Sequence, residues 1–114
     1  MEMTVTLTKH RVGTVEDFPV EGGACVRVDG RQIAVFHFTS RQEWYACENA
    51  CPHSGSMLLA RGLIGDQKGE PKVTCPMHKK SFSLQSGHCL NDDEYTVRTY
   101  PVIVENGNVY IELA

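Results

Sequence analysis

Two short elements, Cys51-Pro52-His53 and Cys75-Pro76-Met77-His78, carry residue types that bind transition metals, and the segment from Ser54 to Thr74 separates them. Each element supplies one thiolate and one imidazole. Two chemistries accept that set. In a 2Fe-2S centre of mixed ligation, two Cys hold one iron and two His replace Cys on the other. Tetrahedral zinc also takes Cys2His2. Spacing distinguishes them, because structural zinc sites bring paired Cys or paired His knuckles. Here each loop mixes one Cys with one His. Two such loops can approach a cluster from opposite sides, each placing its Cys on an inner iron and its His on an outer one. The spacing therefore favours Cys51, His53, Cys75 and His78 as ligands of an iron–sulfur cluster, with zinc as the competing metal. Pro52 and Pro76 stiffen the loops by fixing φ and removing a backbone donor.

The other candidates are weaker. The five cysteines, at positions 25, 47, 51, 75 and 89, are an odd set without the spacing of a disulfide scaffold. Cys25 lies in an apolar run and reads as a small buried hydrophobe. Cys47 precedes Cys51 by four residues, which invites a zinc reading of Cys47-x3-Cys51, but it ends a Trp-Tyr-Ala stretch and reads as a packing residue. Cys89 is either buried or a free thiol, and is not a ligand candidate. His10, His37 and His88 lack a cysteine partner and read as structural or surface residues. Trp44 and Tyr45 are expected to pack beneath the first loop. Lys79 and Lys80, directly after His78, place positive charge where an acidic partner would dock, against the alternative of a solvated pair. No nucleophile–base triad, glycine-rich phosphate loop or nicotinamide fingerprint occurs, so no catalytic residue is assigned.

Short β-rich runs must position these loops. Candidate strands are Met3 to Lys9, Ala24 to Val28, Gln32 to Phe38, Trp44 to Cys47, Val73 to Cys75, Val97 to Tyr100, Val102 to Glu105 and Val109 to Leu113. Asp29-Gly30 and Asn106-Gly107 stand between runs and predict hairpin turns. In the last strand Val109, Ile111 and Leu113 alternate with Asn108, Tyr110 and Glu112, which predicts one core-facing side. Thr14 followed by Val15-Glu16-Asp17 predicts a single helical turn that Pro19 ends. The 114 residues, 41% hydrophobic and 22% charged, suit one all-β domain, residues 1–114, with the chemistry concentrated in about 49–91. A net charge of −3 gives no cationic field for nucleic acid, and no run approaches a signal peptide or a membrane span, so a cytoplasmic location is expected.

The two loops, Gly55, and Ser81-Phe82-Ser83-Leu84-Gln85-Ser86-Gly87 resemble a Rieske ferredoxin domain. Ala60-Arg61-Gly62-Leu63-Ile64-Gly65-Asp66, the long spacer, Cys75 to Phe82 and the ending around Tyr100-Pro101-Val102 resemble the small subunits of assimilatory NAD(P)H nitrite reductases. This resemblance implies an antiparallel β-sandwich or barrel base carrying a small two-loop cluster-binding subdomain. It also implies a large-subunit partner bearing flavin, siroheme and an iron–sulfur cluster, where nitrite becomes ammonia. That family includes members without the Cys and His ligands; here all four are present. High-potential relatives carry a loop disulfide at the positions of Ser56 and Met77, and Ser and Tyr donors at Lys80 and Phe82. Their replacement here predicts a potential toward the low end of the Rieske range. Two alternatives remain: a free Rieske ferredoxin supplying an aromatic-ring oxygenase, and a zinc-binding or cluster-free structural subunit.

Overall fold

The computed structural model describes residues 8–39, 42–52, 55–76, 79–91 and 95–113. Its elements are ten strands and two single 3-10 turns. In chain order they are β1 (Thr8–Thr14), a turn at Val15–Asp17, β2 (Gly22–Val28), β3 (Arg31–Phe38), β4 (Glu43–Glu48), a turn at Leu59–Arg61, β5 (Leu63–Gln67), β6 (Glu70–Thr74), β7 (Ser81–Ser83), β8 (Thr99–Tyr100), β9 (Val102–Glu105) and β10 (Asn108–Leu113). They form three sheets, ordered β1-β10-β9, β2-β3-β4-β8 and β5-β6-β7. All described pairings are antiparallel. The all-β architecture expected from the sequence is what is observed. No helix among the described residues is long and apolar enough to cross a membrane.

The β2-β3-β4-β8 sheet is the middle of three layers, and β3 explains why. Ile33, Ala34, Val35 and Phe36 are all fully buried, a run no half-exposed strand could carry. Ile33 and Val35 join Val109, Ile111 and Leu113 in one core beneath the β1-β10-β9 sheet. Ala34, Phe36 and Phe38 face the opposite core, with Leu59, Val73, Phe82 and both loop cysteines. One strand thus ties the base to the loop-bearing layer.

Turn chemistry sets the registers. Val28 pairs with Arg31 across Asp29-Gly30, and Glu105 with Asn108 across Asn106-Gly107. Both turns hold two successive positive-φ residues, as two-residue hairpins require. A third turn of the same kind, Lys68-Gly69, joins β5 to β6. The sequence reading assigned neither β5 nor β7, and began β6 only at Val73. Of the expected strand from Met3 to Lys9, residues 3–7 lie outside the described set, and β1 runs beyond Lys9 to Thr14. The helical turn after Thr14 is present, capped by Asp17 Oδ2 accepting from the Thr14 N–H at 2.8 Å.

Two side-chain expectations need correction. Cys25 is exposed, not buried. β2 is an edge strand, and its alternation places Cys25 and Arg27 outward while Val28 is buried and Ala24 and Val26 pack against the base core. Trp44 and Tyr45 do not share a location beneath the first loop. As neighbours on β4 they face opposite sides: Tyr45 packs on the core that contains Cys51, whereas Trp44 packs on the base core, stacked on His37 with ring centroids 3.8 Å apart.

Candidate metal centre

The two cysteine elements fold into matching loops. The first is an excursion over residues 51–56, closed by the antiparallel bridge Ala50↔Met57. The second covers 75–80 and is closed by the Thr74↔Ser81 pair of β6 and β7. Within each, the cysteine amide donates to the carbonyl five residues on: Cys51 to Ser56 at 2.9 Å and Cys75 to Lys80 at 2.8 Å. The amide four residues on donates back to the cysteine carbonyl, from Gly55 at 2.7 Å and from Lys79 at 3.0 Å. Gly55 and Lys79 both have positive φ, at 75° and 57°. The chain therefore builds one backbone device twice, with cysteine at the same position each time.

Burial gives the device direction. Cys51 and Cys75 are fully buried in the same apolar core, whereas Pro52, Gly55, Pro76 and Lys79 are exposed. The cysteines thus lie in the core while the described loop residues that flank them on the outer side are exposed. His53 and His78 lie outside the described residues. Among the described residues no group of three or more His, Cys, Asp or Glu converges as a metal site.

The supports are polar, and Asn49, Ser81 and Ser83 among them are buried. Asn49, 3% exposed, fastens the base of the first loop: Oδ1 accepts from the Ala60 N–H at 2.7 Å, and Nδ2 donates to Gln32 Oε1 at 3.1 Å. Its carbonyl also accepts from Leu59 N–H. For the second loop, Thr74 and Ser81 hydroxyls share a 2.8 Å hydrogen bond at its mouth. Ser83 Oγ donates to Glu70 Oε2 at 2.5 Å and accepts from the amides of Gln85 and Ser86, buckling the following turn to β6. Sequence alone assigns no role to Asn49, Glu70 and Thr74, and Ser81 and Ser83 enter only within the motif that carries the Rieske resemblance. The only signal for Asn49 is its place two residues after the Trp44 to Cys47 run.

Cys47 and Cys89 share the core of the two loop cysteines but head no such loop, and Cys25 is exposed. Cys47 is fully buried between Ala34 and Thr99 in the register, and burial pushes its thiol up to about 12. A thiol kept protonated in apolar surroundings is a packing group, as expected from the sequence. Cys89 is buried at 3% exposure, with its Sγ 3.1 Å from Asn91 Oδ1. Phe82, fully buried, carries no hydroxyl into the core it shares with the two loop cysteines.

The model of the Rieske-like [2Fe-2S] domain family matches residues 10–112. The chain belongs to that family. It is a Rieske-type electron-transfer domain, and two buried thiols at the heads of matched loops suit a 2Fe-2S cluster as its cofactor.

Among individual proteins, it is 32% identical to the nitrite reductase (NADH) small subunit of Escherichia coli K12, over 85% of this chain and 90% of that one. It is 39% identical to the nitrite reductase [NAD(P)H] large subunit of Klebsiella oxytoca over 85% of this chain, yet spans only 10% of that protein. It is also 36% identical to the 3-phenylpropionate/cinnamic acid dioxygenase ferredoxin subunit of Photorhabdus laumondii, over 90% of this chain and 92% of that one. The solution structure of the nitrite reductase [NAD(P)H] small subunit from Erwinia carotovora superposes with a TM-score of 0.79 at 34% identity, covering 93% of this chain and 82% of that one.

Proposed function

We propose that this chain is the electron-transfer small subunit of a siroheme-type NAD(P)H nitrite reductase working in the cytoplasm. Its ligands are Cys51 and Cys75 on one iron and His53 and His78 on the other. The observation that carries the reading is the repeated loop device, which sets two buried cysteines in equivalent frames and leaves Pro52, Gly55, Pro76 and Lys79 exposed. Bound there, the cluster supplies reversible one-electron transfer.

The chain's own residues supply the setting. The fully buried Ala34, Phe36, Leu59, Val73 and Phe82 keep water from the thiolate side. The exposed prolines at 52 and 76 restrict the loop tips where a partner would meet them. Lys79 and Lys80 bring positive charge to the same end and favour an acidic partner surface. The catalytic site, with flavin, siroheme and the reduction of nitrite to ammonia for nitrogen assimilation, belongs to the large subunit.

Anaerobic purification followed by iron and acid-labile sulfide analysis and electron paramagnetic resonance tests the ligand set. Substitution of either His53 or His78 by Ala should abolish the Rieske signal. Stoichiometric zinc without sulfide would reject it. Native co-purification with a siroheme-containing large subunit tests the partner.

The identity to a dioxygenase ferredoxin over nearly its whole length favours a second reading, a diffusing ferredoxin that feeds an aromatic-ring oxygenase. Turnover of such an oxygenase with this chain as sole carrier, together with failure to bind a nitrite reductase large subunit, would select it.

A further inference from the structure

Asn91 follows the stretch that returns onto β7 through the Phe82↔Cys89 bridge and the 2.7 Å bond from the Leu90 N–H to the Ser81 carbonyl. Its side-chain amide is engaged at both ends. Nδ2 donates to the Lys79 carbonyl at 3.2 Å. Oδ1 accepts from the Ser81 N–H at 3.3 Å and from the Cys89 thiol at 3.1 Å. Two donors on one side and a carbonyl on the other fix the amide's orientation, since a flipped amide would set its NH2 against both donors. The side chain thus grips the second loop on either side of Lys80.

The grip falls where the backbone needs one. Lys79 has φ 57°, in the left-handed region that a Cβ disfavours. The equivalent position in the first loop is Gly55, which enters that region without penalty. Lys79 is held there from both ends, its N–H by the Cys75 carbonyl at 3.0 Å and its C=O by Asn91 at 3.2 Å. A backbone fixed in this way sets where the amides of Lys79, Lys80 and Ser81 point, and orientations of that kind beside a ligand loop tune a metal centre.

We infer that Asn91 is a positioning residue for the second cysteine loop, holding the Lys79 carbonyl and the Ser81 amide so that the left-handed turn after His78 is fixed and the reduction potential with it. The inference rests on the reading in which this loop carries cluster ligands.

The test uses the full chain purified anaerobically as wild type, Asn91→Ala, Cys89→Ser, and the double variant Lys79→Gly/Asn91→Ala. Iron and sulfide are measured first, then midpoint potential and resonance g-values. Asn91→Ala should load the cluster with altered g-values and a tenfold change in the reduced-to-oxidised ratio at fixed applied potential, about 59 mV for one electron. Cys89→Ser keeps a donor to Oδ1 and should leave both readouts at wild type. If Asn91→Ala fails to load, the double variant, whose glycine meets the left-handed backbone unaided, should recover loading; its failure overturns the inference. A loaded Asn91→Ala with wild-type potential and g-values also overturns it, whatever its thermal stability, while leaving the proposed function standing. A wild type without iron and sulfide removes both.

Discussion

Two glycines with nearly the same backbone conformation should respond very differently to alanine. Gly87 has φ +84°, and a Cβ built there would lie 2.0 Å from the Val97 carbonyl oxygen. Gly107 has φ +77°, with nothing within 4 Å of its Cβ position. The shared conformation costs an L-residue about 1 kcal/mol at either site. At Gly87 a second cost follows, because the approach can relax only by moving Val97 away. That breaks the 2.8 Å bond from the Val97 N–H to the Gly87 carbonyl, in a region where Val97 is 3% exposed. Leaving a buried pair unmade adds roughly 2 kcal/mol, for a total of about 3 kcal/mol. At about 4 °C per kcal/mol for a chain of this length, Gly87→Ala should lower Tm by roughly 12 °C and Gly107→Ala by roughly 4 °C. Calorimetry on the cluster-loaded protein, both variants side by side at one scan rate, reads the difference. Equal shifts would refute the close approach at Gly87, and with it the account of how the turn after β7 is pinned to the segment that precedes β8 and packs in the loop core.

Three further outcomes are expected. His37 lies below its ordinary value of 6.5 because burial opposes its charge, with Glu21 pulling the other way. The unfolded chain then takes up the proton first as pH falls, so stability is intact above the ordinary value and declines below it until the lower folded value is passed. Nδ1 of His37 is buried without a hydrogen-bond partner among the described residues; His37→Phe, which keeps a ring on Trp44, should hold or raise Tm and flatten its slope between pH 7 and 5. Cys47→Ala should cost about 1 kcal/mol and leave iron content at wild type, whereas Cys51→Ser or Cys75→Ser should abolish iron; iron loss in Cys47→Ala would reject its packing role. Replacing both Lys79 and Lys80 with Glu should slow electron transfer to an acidic partner at low salt, with the effect fading once the Debye length falls to about 3 Å at 1 M; unchanged rates at low salt would reject the docking role.

The fold was legible wherever a local rule was strong. The two hairpins predicted from Asp29-Gly30 and Asn106-Gly107 formed, and the alternation of β10 reads directly as burial, with Val109, Ile111 and Leu113 at 0%, 0% and 2% exposure. β5 was missed because its residues, Leu63 to Gln67, carry no alternation and are largely exposed, Leu63 at 77%. Its turn, Lys68-Gly69, was nevertheless the same kind of signal, without the Asn or Asp that usually marks it. β7 is only three residues long and buried throughout, so no period can be read from it. Cys25 was misplaced because an apolar run does not say which face of an edge strand meets the core.

The site was legible in its chemistry and illegible in its supports, and the difference is physical. Ligand chemistry restricts residue type, so cysteine and histidine at short spacing announce themselves. Positioning restricts only geometry, which many polar residues can satisfy, and Asn49, Glu70 and Ser83 become recognisable only once their partners are close. The layer order then explains how the bases of both loops are held on so small a chain. The first loop continues from β4, which pairs along its length with β3, and β3 is buried on both faces. The second is closed by the β6–β7 pair, whose Val73 and Phe82 pack in the core shared with Ala34 and Phe36. Each loop is therefore short, closed at its mouth by a strand pair, and mounted on a packed interior that resists deformation. A frame of that kind moves little when charge changes within it, which is what a one-electron carrier requires of its protein.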